Sequence, residues 1–169
     1  MLSKKSIIMH QLSKNVLIGL TGEYFVCAEL SNRGIIAVLA PKNNPEIDVI
    51  ATTSNGSRFV NIQVKTMSVE NKQGWKLNKN IENKIGSKNF FVVLVNLTEV
   101  GQTPEFYIFG RDELAGLVKE NYQRYLSKPK RDGGQKKDIG FRWFDFREFP
   151  EHLRKKKLNN WKLLGLWKK

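Results

Sequence analysis

The chain has 169 residues, 40% hydrophobic and 27% charged, which fits one packed domain and excludes a disordered polymer. Its single cysteine, Cys27, excludes an intramolecular disulfide and a cysteine-rich zinc site, and the widely separated His10 and His152 argue against a histidine metal cluster. The net charge of +13 is uneven: residues 1–15 carry three lysines and no acid, residues 16–126 carry 12 bases against 11 acids, and residues 127–169 carry 14 against 5.

In chain order, residues 1–13 read as a loose basic arm, and Ile7-Ile8-Met9 is too short an apolar run for a secretory core. Residues 13–32 have helical spacing, with Leu20, Tyr24, Cys27 and Ser31 on one stripe flanked by Leu17 and Leu30. Gly34 is placed to stop that helix in the left-handed conformation. Three strand-like runs follow, Ile35–Leu39, Ile47–Thr52 and Arg58–Lys65. The segment from Pro41 to Pro45 separates the first two, and Asn55-Gly56 marks a hairpin between the second and third. Residues 66–88 are polar and carry no clear periodicity, and a helix there is left open. Phe90–Leu97 is nearly all apolar, as in a strand covered on both faces. A short strand, Glu105–Phe109, precedes a helix capped by Asp112 and running to about Leu126, with Leu114, Leu117, Val118 and Tyr122 facing inward. Residues 127–140 form a Gly/Lys-rich loop. Phe141, Trp143, Phe144, Phe146 and Phe149 follow, then an amphipathic segment, Leu153–Trp167. No run is long and apolar enough to span a bilayer, so a soluble, cytoplasmic protein is expected. The alternation of helices and strands predicts an α/β mixed sheet flanked by helices.

Chemistry-bearing residues concentrate on the two strands of the Asn-Gly hairpin. Side chains alternate along a strand, so Gln63 and Lys65 share one face and Ile62 and Val64 the other. Asp48 shares a face with Glu46 and Ile50. Asp48 lies seven residues before Asn55 and Gln63 seven after Gly56, so an antiparallel hairpin brings them to the same level. On the first helix, Glu23 borders the apolar stripe. Singly, each residue has a plainer reading: Asp48 and Lys65 as a cross-strand ion pair, Gln63 as a surface residue, Glu23 as a solvated acid.

Together, Glu23 on a first helix, Asp48 on one strand and Gln63-Val64-Lys65 on the next resemble the PD-(D/E)XK nuclease superfamily, over roughly residues 16–126. Two positions depart from its pattern. Ile47 precedes Asp48 where proline is usual, and Gln63 replaces an acid, a variant also found in the superfamily. The resemblance implies a restriction-endonuclease-like mixed sheet with an α-β-β-β-α-β core. A single nuclease-like domain over residues 1–169 is then expected, its core at about 13–126 and a basic aromatic C-terminal extension at 127–169. It further implies an endonuclease, a hydrolase in which a magnesium- or manganese-bound water attacks a DNA phosphodiester. Glu23, Asp48, Gln63 and Lys65 would be catalytic. The metal ligands would be Glu23, Asp48, Gln63 and the Val64 backbone carbonyl, an oxygen set suited to a hard cation. Lys65 would offset charge developing on the phosphate. Gln63 leaves the site one charge short, so an inactive or weak nucleic-acid-binding module of the same fold is the alternative. Glu46, on the face of Asp48, is either a further or water-mediated ligand or a residue outside the site.

Basic ends on a near-neutral body suit a polyanion, nucleic acid before an anionic membrane surface, with a solvated surface as the plain alternative. DNA is expected ahead of RNA, through Lys76, Lys79, Lys128, Lys130, Arg131, Lys136 and Lys137. Trp75 is expected either to stack on a base or to pack inside, and the Arg154–Lys157 run either to bind phosphate or to stay solvated. Trp161, Leu164 and Trp167 are expected in the core or in a dimer contact, and a homodimer stays open.

Overall fold

The computed structural model describes residues 12–42, 44–145 and 149–167. Most of the basic arm, His10 and Phe146 lie outside the described residues. The chain begins with helix α1 (Lys14–Asn32), capped by the Ser13 hydroxyl, which accepts the Val16 N–H. Gly34, at φ +77°, ends it: Gly34 N–H donates to Ser31 and Ile35 N–H to Leu30, satisfying the last carbonyls. The buried face of α1 is Gly22, Val26 and Leu30, not the expected stripe; Leu17 and Tyr24 are 50% and 59% exposed. The reason is steric. A Cβ on Gly22 would lie 2.0 Å from the Thr66 hydroxyl, so the helix rests on the sheet at a glycine and its larger neighbours turn outward.

Strands β1 (Ile36–Leu39), β2 (Val49–Thr52) and β3 (Phe59–Met67) form an antiparallel meander. The β2–β3 turn uses Gly56 at φ +69°, with the Asn55 carboxamide oxygen accepting from Ser57 N–H. β5 (Phe90–Asn96) runs parallel to β3, and β6 (Glu105–Gly110) antiparallel to β5. The five-stranded order is β1-β2-β3-β5-β6, a mixed sheet. Between β3 and β5 the expected helix is replaced by β4 (Gly74–Asn78) and a 3₁₀ turn, Lys79–Glu82. β4 pairs with β7 (Phe141–Asp145) in a separate two-stranded sheet. Helix α2 (Arg111–Ser127) starts from Gly110 rather than Asp112. The Asp112 carboxylate instead accepts the N–H groups of Ile85 and Gly86, at 2.7 and 2.9 Å, tying down the loop before β5. Helix α3 (Glu151–Lys157) and a second 3₁₀ turn, Trp161–Leu164, close the chain.

The sheet separates two apolar layers. Val26, Leu30, Val60, Ile62, Val64, Val93 and Val95 pack on the α1 side with Trp161 and Leu164. Trp75, Leu77, Val92, Leu94, Phe109, Leu114 and Phe144 pack on the α2 side. β5 feeds both layers alternately, as a doubly covered strand must. Each such aliphatic side chain taken from water contributes about 1.5–3 kcal/mol, so β5 anchors the fold. The C-terminal segment is part of this core: Phe149, Trp161, Leu164 and Leu166 are all buried. Among the described residues no helix is long and apolar enough to cross a membrane.

Candidate active site

β2 has four residues and β3 nine, and that mismatch makes the site. The β2–β3 register ends at Val49 opposite Ile62, so β3 continues from Gln63 to Met67 with no β2 partner. Pro41 and Pro45 lie in the segment that leads away, where a ladder donor is not needed. Asn44 shapes it by accepting the N–H groups of both Glu46 and Ile47 at 3.0 Å. Asp48, just before β2, fills the gap. Its backbone N–H donates to the Ile62 carbonyl at 2.9 Å, and its carboxylate accepts the Val64 N–H at 2.7 Å. A charged acceptor at that length holds the carboxylate in place. In a strand, the N–H and C=O of one residue point to the same side, so the Val64 carbonyl also faces the edge that Asp48 occupies.

Gln63 and Lys65 project from the opposite face to Val64, into a cleft of about 330 Å³ roofed by β4 and the 3₁₀ turn. Glu46, Asn78, Asn80 and Arg111 complete its polar lining. Gln63 is only 6% exposed, yet its amide makes no hydrogen bond to a described residue. Lys65 has no ion pair with a described residue, and the plain cross-strand pair with Asp48 is not formed. Arg111, 3% exposed, donates to the Ile81 and Asn80 carbonyls at 2.6 and 3.1 Å, while its Nε is buried without a partner among the described residues. Burial lowers its pKa, against the raising effect of Glu46 and Asp112.

Glu23 arrives from α1. Its carboxyl is pushed above the ordinary value, first by burial and then by the Asp48 carboxylate, with Lys65 and Lys42 opposing. Glu23, Asp48 and Lys65 therefore share one electrostatic neighbourhood. Among the described residues, no three of the His, Cys, Asp and Glu side chains gather as a metal cluster. Gln63 and Lys65 line the cleft, whereas Glu23 and Asp48 do not; Asp48 holds the neighbouring β3 edge.

The flanking positions divide. Lys76 and Lys79 are exposed beside the cleft, Lys76 with its ammonium 4.3 Å from the Phe141 ring. Lys128, Lys130, Arg131 and Lys137 are exposed on the loop before β7, while Lys136 donates to the Tyr125 carbonyl at 2.9 Å. Trp75 is 2% exposed and donates to the Val95 carbonyl at 3.0 Å, so it is a core residue and not a stacking surface. In the Arg154–Lys157 run, Lys157 is buried against Glu113 at 2.6 Å and Lys155 pairs with Glu151 at 2.7 Å. Sequence reading passed over Gly22, which lets α1 approach, and Arg111. A glycine inside a helical pattern was the available signal for the first; nothing local marks the second.

No protein-family model, curated protein or solved structure matches this chain.

Proposed function

We propose that this chain is a metal-dependent nuclease-like hydrolase acting on DNA phosphodiesters, a divergent PD-(D/E)XK-type enzyme with a restriction-endonuclease-like sheet. The observation that carries the reading is the end of β2. There Asp48 is fastened to the Val64 N–H, beside Gln63 and Lys65, whose polar ends have no partner among the described residues. Polar groups left unspent at an ordered, part-buried site favour a ligand over a structural role.

Asp48, Glu23, the Gln63 amide and the Val64 carbonyl would hold a magnesium or manganese ion. Bound there, such an ion would supply Lewis acidity toward a phosphate oxygen and activate water. Lys65 would offset negative charge that grows on the phosphate in the transition state. The Val64 N–H keeps Asp48 from rotating away, so its orientation is set before substrate arrives. Glu23, costly as a charge next to Asp48, gains from any cation that comes between them.

The test is cleavage of plasmid and linear DNA with magnesium or manganese. Wild type should cut, and Lys65→Ala and Asp48→Ala should bind DNA but cut at least about 100-fold more slowly. Binding without cleavage under either metal would replace this reading with an inactive module of the same fold, which Gln63 in place of an acid favours. Cleavage unaltered by both substitutions would place the activity elsewhere.

A further inference from the structure

The β4–β7 sheet has an outward face that the active-site chemistry does not use. Lys76 stands directly opposite Trp143, and Asn78 opposite Phe141. Trp143 is 42% exposed, an unusual position for a large ring whose strand neighbours Arg142 and Phe144 are buried. Phe141 and Trp143 meet edge to face at 6.2 Å, and the Lys76 ammonium lies over Phe141. Across a groove of about 410 Å³, α2 presents Tyr122 and Tyr125, stacked at 5.8 Å. The Lys136 ammonium sits 3.9 Å from the Tyr125 ring centre. Asn78, the cross-strand partner of Phe141, lines the cleft that holds Gln63 and Lys65, so β4 contributes to both features.

Two exposed rings, Trp143 and Tyr125, beside half-buried Phe141 and Tyr122, with two ammonium groups against one acid, Asp145, match a polyanion that carries flat apolar surfaces. We propose that this groove is a stacking platform for single-stranded DNA, which seats unpaired bases on Trp143 and Phe141 while Lys76 and Lys136 meet the phosphates. A duplex hides its base faces in its own stack, whereas an unpaired strand offers one per nucleotide. The exposed loop with Lys128, Lys130, Arg131 and Lys137 extends the positive charge beyond the groove. The polymer's identity rests on the nuclease reading; the strandedness rests on the rings. The platform assigns that enzyme a substrate with an unpaired stretch.

The experiment is fluorescence anisotropy of a short labelled oligo(dT), with the matching duplex and an oligo(rU) as comparison arms. Wild type should bind oligo(dT) best. Trp143→Leu, which keeps an apolar side chain but removes the ring, should weaken binding about tenfold, and Trp143→Phe should restore most of it. Lys76→Ala should reduce the slope of log affinity against log salt by about 0.7. Both positions are exposed, so unchanged melting temperatures are expected. Equal oligo(dT) affinity for wild type and Trp143→Leu, or a duplex bound as tightly as the single strand, overturns the platform. Tighter binding of oligo(rU) overturns the choice of DNA. Trp143-dependent binding without metal-dependent cleavage keeps the platform and removes the nuclease reading. Lys65-dependent cleavage with binding indifferent to Trp143 does the reverse.

Discussion

Two regions of this molecule hold sheltered positive charge, and they use it differently. Toward the C-terminus, Arg142 is buried with its Nε donating to Glu82 and a further contact to Asp138 at 3.0 Å, and Lys157 is buried against Glu113. At the β2–β3 edge, Lys65 is half-buried near two carboxylates and pairs with neither, and Gln63 beside it makes no hydrogen bond to a described residue. The C-terminal cations complete the protein's own structure, whereas Lys65 has no ion pair among the described residues. Counting bases gave the tail most of the +13 charge and hence most of the expected binding role. Partnering redistributes it, because a buried cation already paired with an acid has little left for a phosphate.

The contrast can be broken most sharply by substituting on both sides. Glu82→Ala leaves Arg142 buried with much of its compensation gone and should cost about 3 kcal/mol in denaturant unfolding. Lys65→Ala should leave stability within about 0.5 kcal/mol, as for a residue outside any such network, while abolishing cleavage. Equal stability losses for the two would mean that Lys65 is as much a part of the packed structure as Arg142.

Gly22→Ala sharpens the second half of the comparison. The added methyl group meets Thr66, so α1 must lift, at about 1–3 kcal/mol, and Glu23 moves with it. Thr66→Ala in the same chain should recover part of that loss in a double-mutant cycle. Strict additivity would mean that the two residues do not touch.

Glu23→Gln separates folding from function. The raised pKa means the folded protein holds this proton more tightly than the unfolded chain does. Stability therefore falls as pH rises from the ordinary glutamate value through the raised one, and the deficit persists above it. Removing the charge should raise the melting temperature at neutral pH while weakening manganese binding. In wild type, manganese affinity should drop as pH falls through the raised Glu23 value. A lower melting temperature for Glu23→Gln at neutral pH would contradict the cost of this charge, set first by burial and then by Asp48.

The smallest effect belongs to Asp112, whose pKa is held low first by the Ile85 N–H and also by that of Gly86. Its contribution is present above the ordinary carboxylate range and is lost as pH falls through the depressed value. The stability gap between wild type and Asp112→Ala, measured by urea melts, should thus be widest at neutral pH and close in acid. A gap independent of pH would leave those two bonds without weight.

Local signals carried much of the fold. The Asn55-Gly56 turn, the left-handed Gly34 and the unbroken apolar run of β5 are each written within a few residues. The contacts that were missed are long-range. β4 pairs with a strand that follows the whole α2 helix, so nothing near residue 75 announces its partner. Its alternation of Trp75 and Leu77 inward with Lys76 and Asn78 outward was visible but short. The buried face of α1 was misplaced because periodicity weighs large side chains, while the contact that positions the helix is made by a glycine. The Asp48–Gln63 level followed from counting along a hairpin. That Asp48 takes a backbone N–H, and that Gln63 and Lys65 form no ion pair or hydrogen bond with described residues, required coordinates.

The most direct measurement is a crystal structure of the protein soaked in manganese, with the ion located by its anomalous scattering. One strong peak is expected, bound by Asp48 with Glu23, Gln63 and the Val64 carbonyl around it, and that peak should be lost in Asp48→Ala. A structure with no ion at this edge, or with Glu23 and Asp48 turned away from each other at saturating manganese, would contradict it.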